Sequence, residues 1–283
     1  MNLIAQLTSR ALLRLEGSDV LGFLQNLITN DVENLDDGQA RFGALLTPQG
    51  KVLFDFIVRR EGDGYILDVE RVQRDALAKR LSFYKLRADV QISNDDRNVF
   101  AGWADPSSPS SSSAPETGFA DPRHAGLGWR VYADDLKVNS DEHEWHRNRI
   151  ALGVPQSGMD FELESVFPHD ALMDQMEEGG IDFSKGCYVG QEVVSRMQHR
   201  GTARNRFVIV SSSGALPDNV LGQNIVAGGR RIGTMGSHID NKGLALVRID
   251  RVGAVLKSGT PVLLENVALE VKIPEFVNYE WSQ

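Results

Sequence analysis

The stretch Lys185-Gly186-Cys187-Tyr188-Val189-Gly190-Gln191-Glu192 gathers the chain's only cysteine, two glycines and several polar reactive groups into eight residues. No other segment is as dense. Glycines on either side of Cys187 and Tyr188 let the backbone take positive φ or approach a ligand closely, and a lysine two residues before the thiol favours the thiolate. Two readings stand at this point. One is a reactive loop; the other is a lone cysteine acting as a small buried hydrophobe inside a Gly-x-x-x-Gly turn.

Charge collects just downstream. Lys185, Arg196, Arg200, Arg204 and Arg206 face the single acid Glu192, a local +4 in a chain whose formal net charge is −9. Such a run is commonly a solvated helix face, but its place directly after a glycine-flanked thiol favours an anionic ligand. The overall acid excess argues against a general nucleic-acid or membrane-surface binder, so no direct nucleic-acid or membrane partner is expected. One cysteine excludes an intramolecular disulfide framework and cannot by itself hold a four-thiolate zinc or iron–sulfur site. The first residues, Met1-Asn2-Leu3-Ile4-Ala5-Gln6, do not read as a signal or transit peptide, and no apolar run approaches the length of a membrane span. The expectation from these features is a bacterial cytoplasmic protein. No Walker A, strand-linked Gly-x-Gly-x-x-Gly or Gly-x-Ser-x-Gly pattern occurs, and His143 with His146 at i,i+3 reads as surface rather than as a metal pair.

Along the chain, Ala11–Leu15 reads as a strand and Gly17-Ser18-Asp19 caps a helix from Val20 to Leu27. Ala40–Leu46, the turn Thr47-Pro48-Gln49-Gly50 and Lys51–Val58 form a β-hairpin. Asp55 sits inside its apolar return strand between Phe54 and Phe56. Alternation puts Asp55 on the face opposite the two phenylalanines, where it is either solvated or held by a buried partner. A helix is expected over 72–81, and the Ser/Pro tract at 105–117 as a mobile surface loop. A helix over 140–152 would be capped by Ser140 and stopped by Gly153, and a helix opens at Gln191 with Glu192 and Arg196 in i,i+4 support. After Arg206 six short strands recur at about ten-residue spacing between glycine and asparagine turns, the pattern of a small antiparallel barrel. The chain therefore divides into 1–205 and a C-terminal barrel at 206–283, within an α+β class.

The octapeptide, continued by Val193-Val194-Ser195-Arg196 and Arg200-Gly201, resembles the signature of the YgfZ-type folate-binding proteins, relatives of the glycine-cleavage T-protein (aminomethyltransferase). The likeness extends through Phe23-Leu24-Gln25-Asn26, Thr29-Asn30-Asp31, Gly50-Lys51-Val52-Leu53-Phe54-Asp55, Tyr84-Lys85-Leu86-Arg87 and Arg149-Ile150-Ala151-Leu152-Gly153. It implies a three-lobed, ring-like T-protein fold whose barrel forms one lobe and whose central channel holds tetrahydrofolate, with the part before the barrel as two interleaved lobes. Asp55 falls on the second Asp of the T-protein's Gly-Gly-Ile-x-Asp-Asp pattern, which implies a ligand-facing role; Phe54 replaces the first Asp, a departure that bears on aminomethyl transfer.

The resemblance further implies Cys187 and Asp55 as the chemically active residues, Cys187 also as a shared iron–sulfur ligand. Asp55, Lys185, Tyr188, Gln191, Glu192, Arg196 and Arg200 are the implied folate-binding set. The function it implies is a tetrahydrofolate-binding accessory factor in assembly or repair of [4Fe–4S] proteins, with iron–sulfur assembly proteins or client enzymes as partners. A folate-dependent one-carbon transferase and a non-catalytic folate-binding scaffold are the alternatives.

Overall fold

The computed structural model describes residues 2–105, 114–201 and 203–281. Strands β1 (Asn2–Gln6) and β2 (Arg10–Glu16) lead into helix α1 (Val20–Gln25), followed by β3 (Ala40–Leu46), β4 (Val52–Glu61) and β5 (Gly64–Glu70). Helix α2 (Arg74–Lys85), β6 (Gln91–Asp95) and β7 (Asn98–Ala104) come next. The expected mobile Ser/Pro loop lies largely at 106–113, outside the described residues. Beyond it stand β8 (Phe119–Ala120), β9 (Trp129–Ala133), α3 (Glu142–Leu152) and α4 (Gln191–Arg200). The last part holds β10 (Asn205–Ser211), β11 (Asn224–Ala227), β12 (Arg230–Ile239), β13 (Lys242–Arg248), α5 (Ile249–Ser258), β14 (Val262–Leu264) and β15 (Val267–Lys272).

These elements build an α+β molecule from two sheets and a barrel. One antiparallel sheet has the order β3-β4-β5-β2-β6, the other β1-β7-β9-β8. The six strands after residue 204 close on themselves as β10-β13-β12-β11-β14-β15, with β10 pairing both β13 and β15. Alternation along β10 shows how the barrel serves two cores: Val208 and Val210 fill the barrel, while Phe207 packs into the core shared with the sheets. Helix α3 is capped by Asp141, whose side chain accepts the Glu144 amide at 2.9 Å, and not by Ser140, whose own amide is used on the Ile4 carbonyl. Its end at Gly153 is as expected, with φ +84°. Strand β1 and helix α5 had no counterpart in the sequence reading; α5 buries only Ile249, Val252 and Gly253, too short an apolar stripe to stand out between strands.

The sheet carrying β4 is buried on both sides. Phe54, Phe56 and Val58 join Tyr65, Leu67 and Val69 in the core beneath α1 and α2. Ile57 and Ile66 face the other way, into the core that includes Trp103, Tyr132, Trp145 and Phe207. Asp55 shares the Ile57 face by the period of two, so it points into the centre of the molecule and is only 5% exposed. The solvated alternative for Asp55 is thereby removed: the alternation was right, but the face it indicates is covered by the second sheet.

The hairpin turn before β4 meets the loop before α4 almost backbone to backbone. A Cβ on Gly190 would lie 2.6 Å from the Thr47 carbonyl oxygen and 3.1 Å from Gly50 Cα; one on Gly50 would lie 2.9 Å from Val193 Cβ. Both glycines have positive φ, +78° and +82°, so neither the space nor the backbone admits a side chain. This contact brings the octapeptide onto the Gly50–Asp55 motif from 140 residues away in the chain. Gly190→Ala is expected to destabilise the fold by about 1–3 kcal/mol in urea unfolding, whereas Gly214→Ala, with open space around it, should stay within about 0.5 kcal/mol of wild type.

Candidate functional site

A ladder of buried ions occupies the inner face of the five-stranded sheet. Arg10 on β2 donates to Asp68 (2.7 Å) and Glu70 (3.0 Å) on β5; Arg130 on β9 spans Asp68 (2.5 Å) and Asp121 (2.9 Å); Arg123 completes the ladder on Asp121 at 2.7 Å. All six side chains are almost fully buried. Charges this dry persist only when each has partners, so the ladder closes the two sheets on one another in a single register. Burial opposes ionisation of Asp121, but Arg123 and Arg130 outweigh it and hold its carboxyl well below the usual carboxylate range. Glu70 moves the other way: burial raises it, Arg10 draws it down, and the nearby Asp55 adds to the rise.

Asp55 stands beside this ladder without a cation of its own. Its Oδ1 accepts a short hydrogen bond from the Ser157 hydroxyl, and the Gln73 amide nitrogen reaches Ser157 Oγ at 3.4 Å. Gln156 donates its side-chain amide to Glu70. The loop that supplies Gln156 and Ser157 is itself held by the buried Arg149–Asp160 pair (2.6 Å): Asp160 accepts the Gln156 amide at 2.8 Å and the Ser237 hydroxyl of β12 at 2.6 Å. The Arg149–Gly153 motif thus acts at a distance, tying α3, this loop and the barrel together. The side-chain oxygens of Gln73 and Gln156 are buried with no hydrogen-bond partner among the described residues. Buried acceptors left in this state are unusual and fit a ligand that brings N–H donors.

The octapeptide loop is built differently. Thr29-Asn30-Asp31 serves as its dock: Thr29 Oγ1 donates to the Gly180 carbonyl (2.6 Å), Asn30 to the Gly179 carbonyl (2.8 Å), and the Asp182 amide to the Thr29 carbonyl (2.9 Å). Asp182 then caps the following turn through Ser184 (2.6 Å) and the Lys185 amide (3.1 Å). Lys185 Nζ donates to the carbonyls of Ile28 (2.8 Å) and Asn30 (2.7 Å), and burial pushes its pKa down to about 8. Tyr188 is buried in the central core, with its hydroxyl pushed up by burial. Between these anchors Cys187 is exposed. The buried-hydrophobe reading of the cysteine is therefore excluded, and Lys185 spends its hydrogen bonds on the dock and not on the thiol.

The predicted residues do not converge on one cavity. Asp55 is interior, on Ser157; Cys187 is at the surface on its anchored loop. Gln191 opens α4, half-buried, and Glu192 pairs with Arg196 at 2.5 Å on its exposed face. Arg206 is buried in a bidentate pair with Asp174, at 2.5 and 2.9 Å. Of the five basic residues counted in the sequence, Arg200 and Arg204 alone stay exposed with no side-chain partner among the described residues. Phe54 belongs to the apolar core under the helices, so its replacement of an acid leaves the Asp55 face unaltered. Missed by the sequence reading were Arg10, Asp68, Glu70, Gln73, Gln156 and Ser157. Asp68, an acid inside the apolar run Tyr65–Val69, carries the same signature that singled out Asp55; the others gave no local signal.

The chain is similar along its whole length to the glycine cleavage system aminomethyltransferase T from Bartonella henselae, with a TM-score of 0.76 over 100% of this chain and 88% of that one. Sequence identity is 18%, and the likeness establishes the T-protein fold. Residues 204–279 match the family described as CAF17, C-terminal beta-barrel domain. Three relatives are named as mitochondrial IBA57 iron–sulfur cluster assembly factors or homologues. The Coccidioides immitis protein is 31% identical over 90% of this chain and 73% of its own length. The Pyricularia oryzae protein is 29% identical over 96% and 77%, and the Homo sapiens protein 28% identical over 96% and 84%. The mitochondrial names overturn the expectation of a bacterial cytoplasmic protein, and they refine the resemblance, since these relatives carry the IBA57 name and not that of YgfZ. A chain that shares the T-protein fold and this barrel, and aligns over nearly its full length with such factors, has one family assignment: it belongs to the IBA57 family of iron–sulfur cluster assembly factors.

Proposed function

We propose that this chain binds a reduced folate against Asp55 and presents Cys187 as a thiolate ligand that a partner protein completes during assembly of [4Fe–4S] proteins. The observation that carries the cysteine half is its exposure at the tip of a loop anchored on both sides by Lys185 and Tyr188. Such a loop offers sulfur at low entropic cost, because the backbone that holds it is already ordered. Among the described residues no group of three or more His, Cys, Asp or Glu side chains is gathered to hold a metal. A cluster carried on Cys187 thus takes its other ligands from a second molecule, which makes the chain an assembly factor that shares its cargo.

The folate half rests on the unpartnered oxygens of Gln73 and Gln156 beside Asp55. A pterin edge presents N–H donors in a row, and Asp55, Gln73 and Gln156 present acceptors. In this reading Asp55 accepts from the pterin or an amine nitrogen, with Ser157 orienting the carboxylate. A one-carbon transferase would use the same carboxylate near its reacting amine, and Asp55 on the T-protein position supports it as the second reading; turnover of tetrahydrofolate to a methylene derivative with an amine donor would promote it over the first.

Three measurements test these readings. In a strain deleted for the chromosomal copy, Cys187→Ala should fail to restore [4Fe–4S] enzyme activities; restoration equal to wild type would refute the thiol role. Asp55→Asn should weaken tetrahydrofolate binding in calorimetry by tenfold or more, and an unchanged affinity removes Asp55 from the folate site. Lys185→Met strands the Ile28 and Asn30 carbonyls and should lower stability by about 1–3 kcal/mol, with faster amide exchange across 182–190.

A further inference from the structure

Three arginines that are scattered in sequence meet on the barrel. Arg231 on β12, Arg248 at the end of β13 and Arg251 on α5 line one cavity of about 290 Å³ together with Thr234 and Asn205. The Arg204 carbonyl accepts the Ile249 amide at the start of α5 (3.0 Å). No acid lines the cavity. Asp250, next to Arg251 on α5, is taken up by Arg248 in a bidentate pair at 2.6 and 2.9 Å. Arg251 uses one Nη on the Arg231 carbonyl (2.7 Å), which fixes the two residues side by side, and the Arg231 guanidinium has no partner among the described residues.

In a chain of −9, three guanidinium groups against the one paired carboxylate of Asp250 leave a positive surface that raises the local concentration of anions, and guanidinium groups pair with oxyanions through parallel N–H donors. The cavity is also the end of something longer. Arg231, Thr234 and Leu246 belong equally to a neighbouring groove of about 570 Å³ whose walls include Met159, Phe161, Val166 and Met235, with Glu162 and the Arg149-paired Asp160 also on its lining. A mainly apolar slot that opens onto an arginine-lined end matches a ligand with an apolar or planar body and an anionic terminus seated at the arginines, away from Glu162.

We propose that Arg231, Arg248 and Arg251 form an oxyanion site for the charged end of a small amphipathic ligand whose body lies along Phe161 and Met235. The chemistry recognised is a multiply charged oxyanion, a phosphate or a cluster of carboxylates. The arginine-lined cavity shares no lining residue with Asp55, Ser157, Gln73 or Gln156, and the proposal does not depend on the folate reading.

Calorimetry of the full chain at low salt with pyrophosphate and with citrate tests the site and tells the two sources apart. Wild type should bind at least one of them, more weakly as salt is raised, and the tighter of the two names the class. The double variant Arg231→Gln/Arg251→Gln should lose at least tenfold in affinity. Arg231→Gln alone removes a guanidinium on which no hydrogen bond of the fold depends, so it keeps the test valid if the double variant fails to fold, and it should lose about fivefold. Arg80→Gln, an exposed arginine on α2 outside the cavity, should bind as wild type does. Binding of neither anion to wild type, or equal binding by Arg231→Gln, overturns the proposal, as does an equal loss in Arg80→Gln.

Discussion

The ion ladder from Glu70 through Arg10, Asp68, Arg130 and Asp121 to Arg123 is the constraint on which the rest of the structure depends. Three guanidinium groups and three carboxylates are out of water together. Removing any one would leave its partner as an uncompensated buried charge, a loss of roughly 3–5 kcal/mol. Arg10, Asp68 and Glu70 come from the five-stranded sheet and Arg130 from the four-stranded one. A slip of one residue in either sheet would turn half of these groups to the opposite face. The ladder therefore selects one docking of the two sheets, and in doing so it encloses Asp55.

A second tie brings distant motifs together without charge. Gly50 and Gly190 let the hairpin turn and the octapeptide loop touch at backbone distance, and the Thr29–Asp31 turn binds the same loop from the other side. Between these contacts Cys187 has a fixed backbone and a free sulfur. The molecule thus holds its interior carboxylate and its surface thiol on one frame while keeping them apart.

Family membership gives this arrangement its meaning. The T-protein fold supplies a polar interior, and the IBA57 relatives show that the fold has been taken into iron–sulfur assembly. Phe54, in the apolar core beneath the helices, shows that the departure from the T-protein motif is a packing change on the far side of β4. The Asp55 face keeps its buried carboxylate on Ser157.

Much of this was legible in the chain alone. Period-two apolar runs and glycine turns specify the barrel strands, and the hairpin around Thr47–Gly50 follows from its turn residues, because these signals are local to the elements they form. The alternation that turns Asp55 away from Phe54 and Phe56 is equally local. Which faces are dry is not. Sequence left Asp55 either solvated or held by a buried partner, because the loop that brings Ser157 onto it comes from about a hundred residues away. The five-residue basic cluster looked like one site because it is contiguous in sequence, yet folding buries Arg206 on Asp174, spends Lys185 on two carbonyls and pairs Arg196 with Glu192. The arginines that do gather, at 231, 248 and 251, come from β12, the end of β13 and α5 and come together only when the barrel closes. Sequence by itself determined the elements and the chemistry available to them; tertiary structure decided which charges are neutralised and which remain free, because pairing and desolvation depend on neighbours that chain order does not reveal.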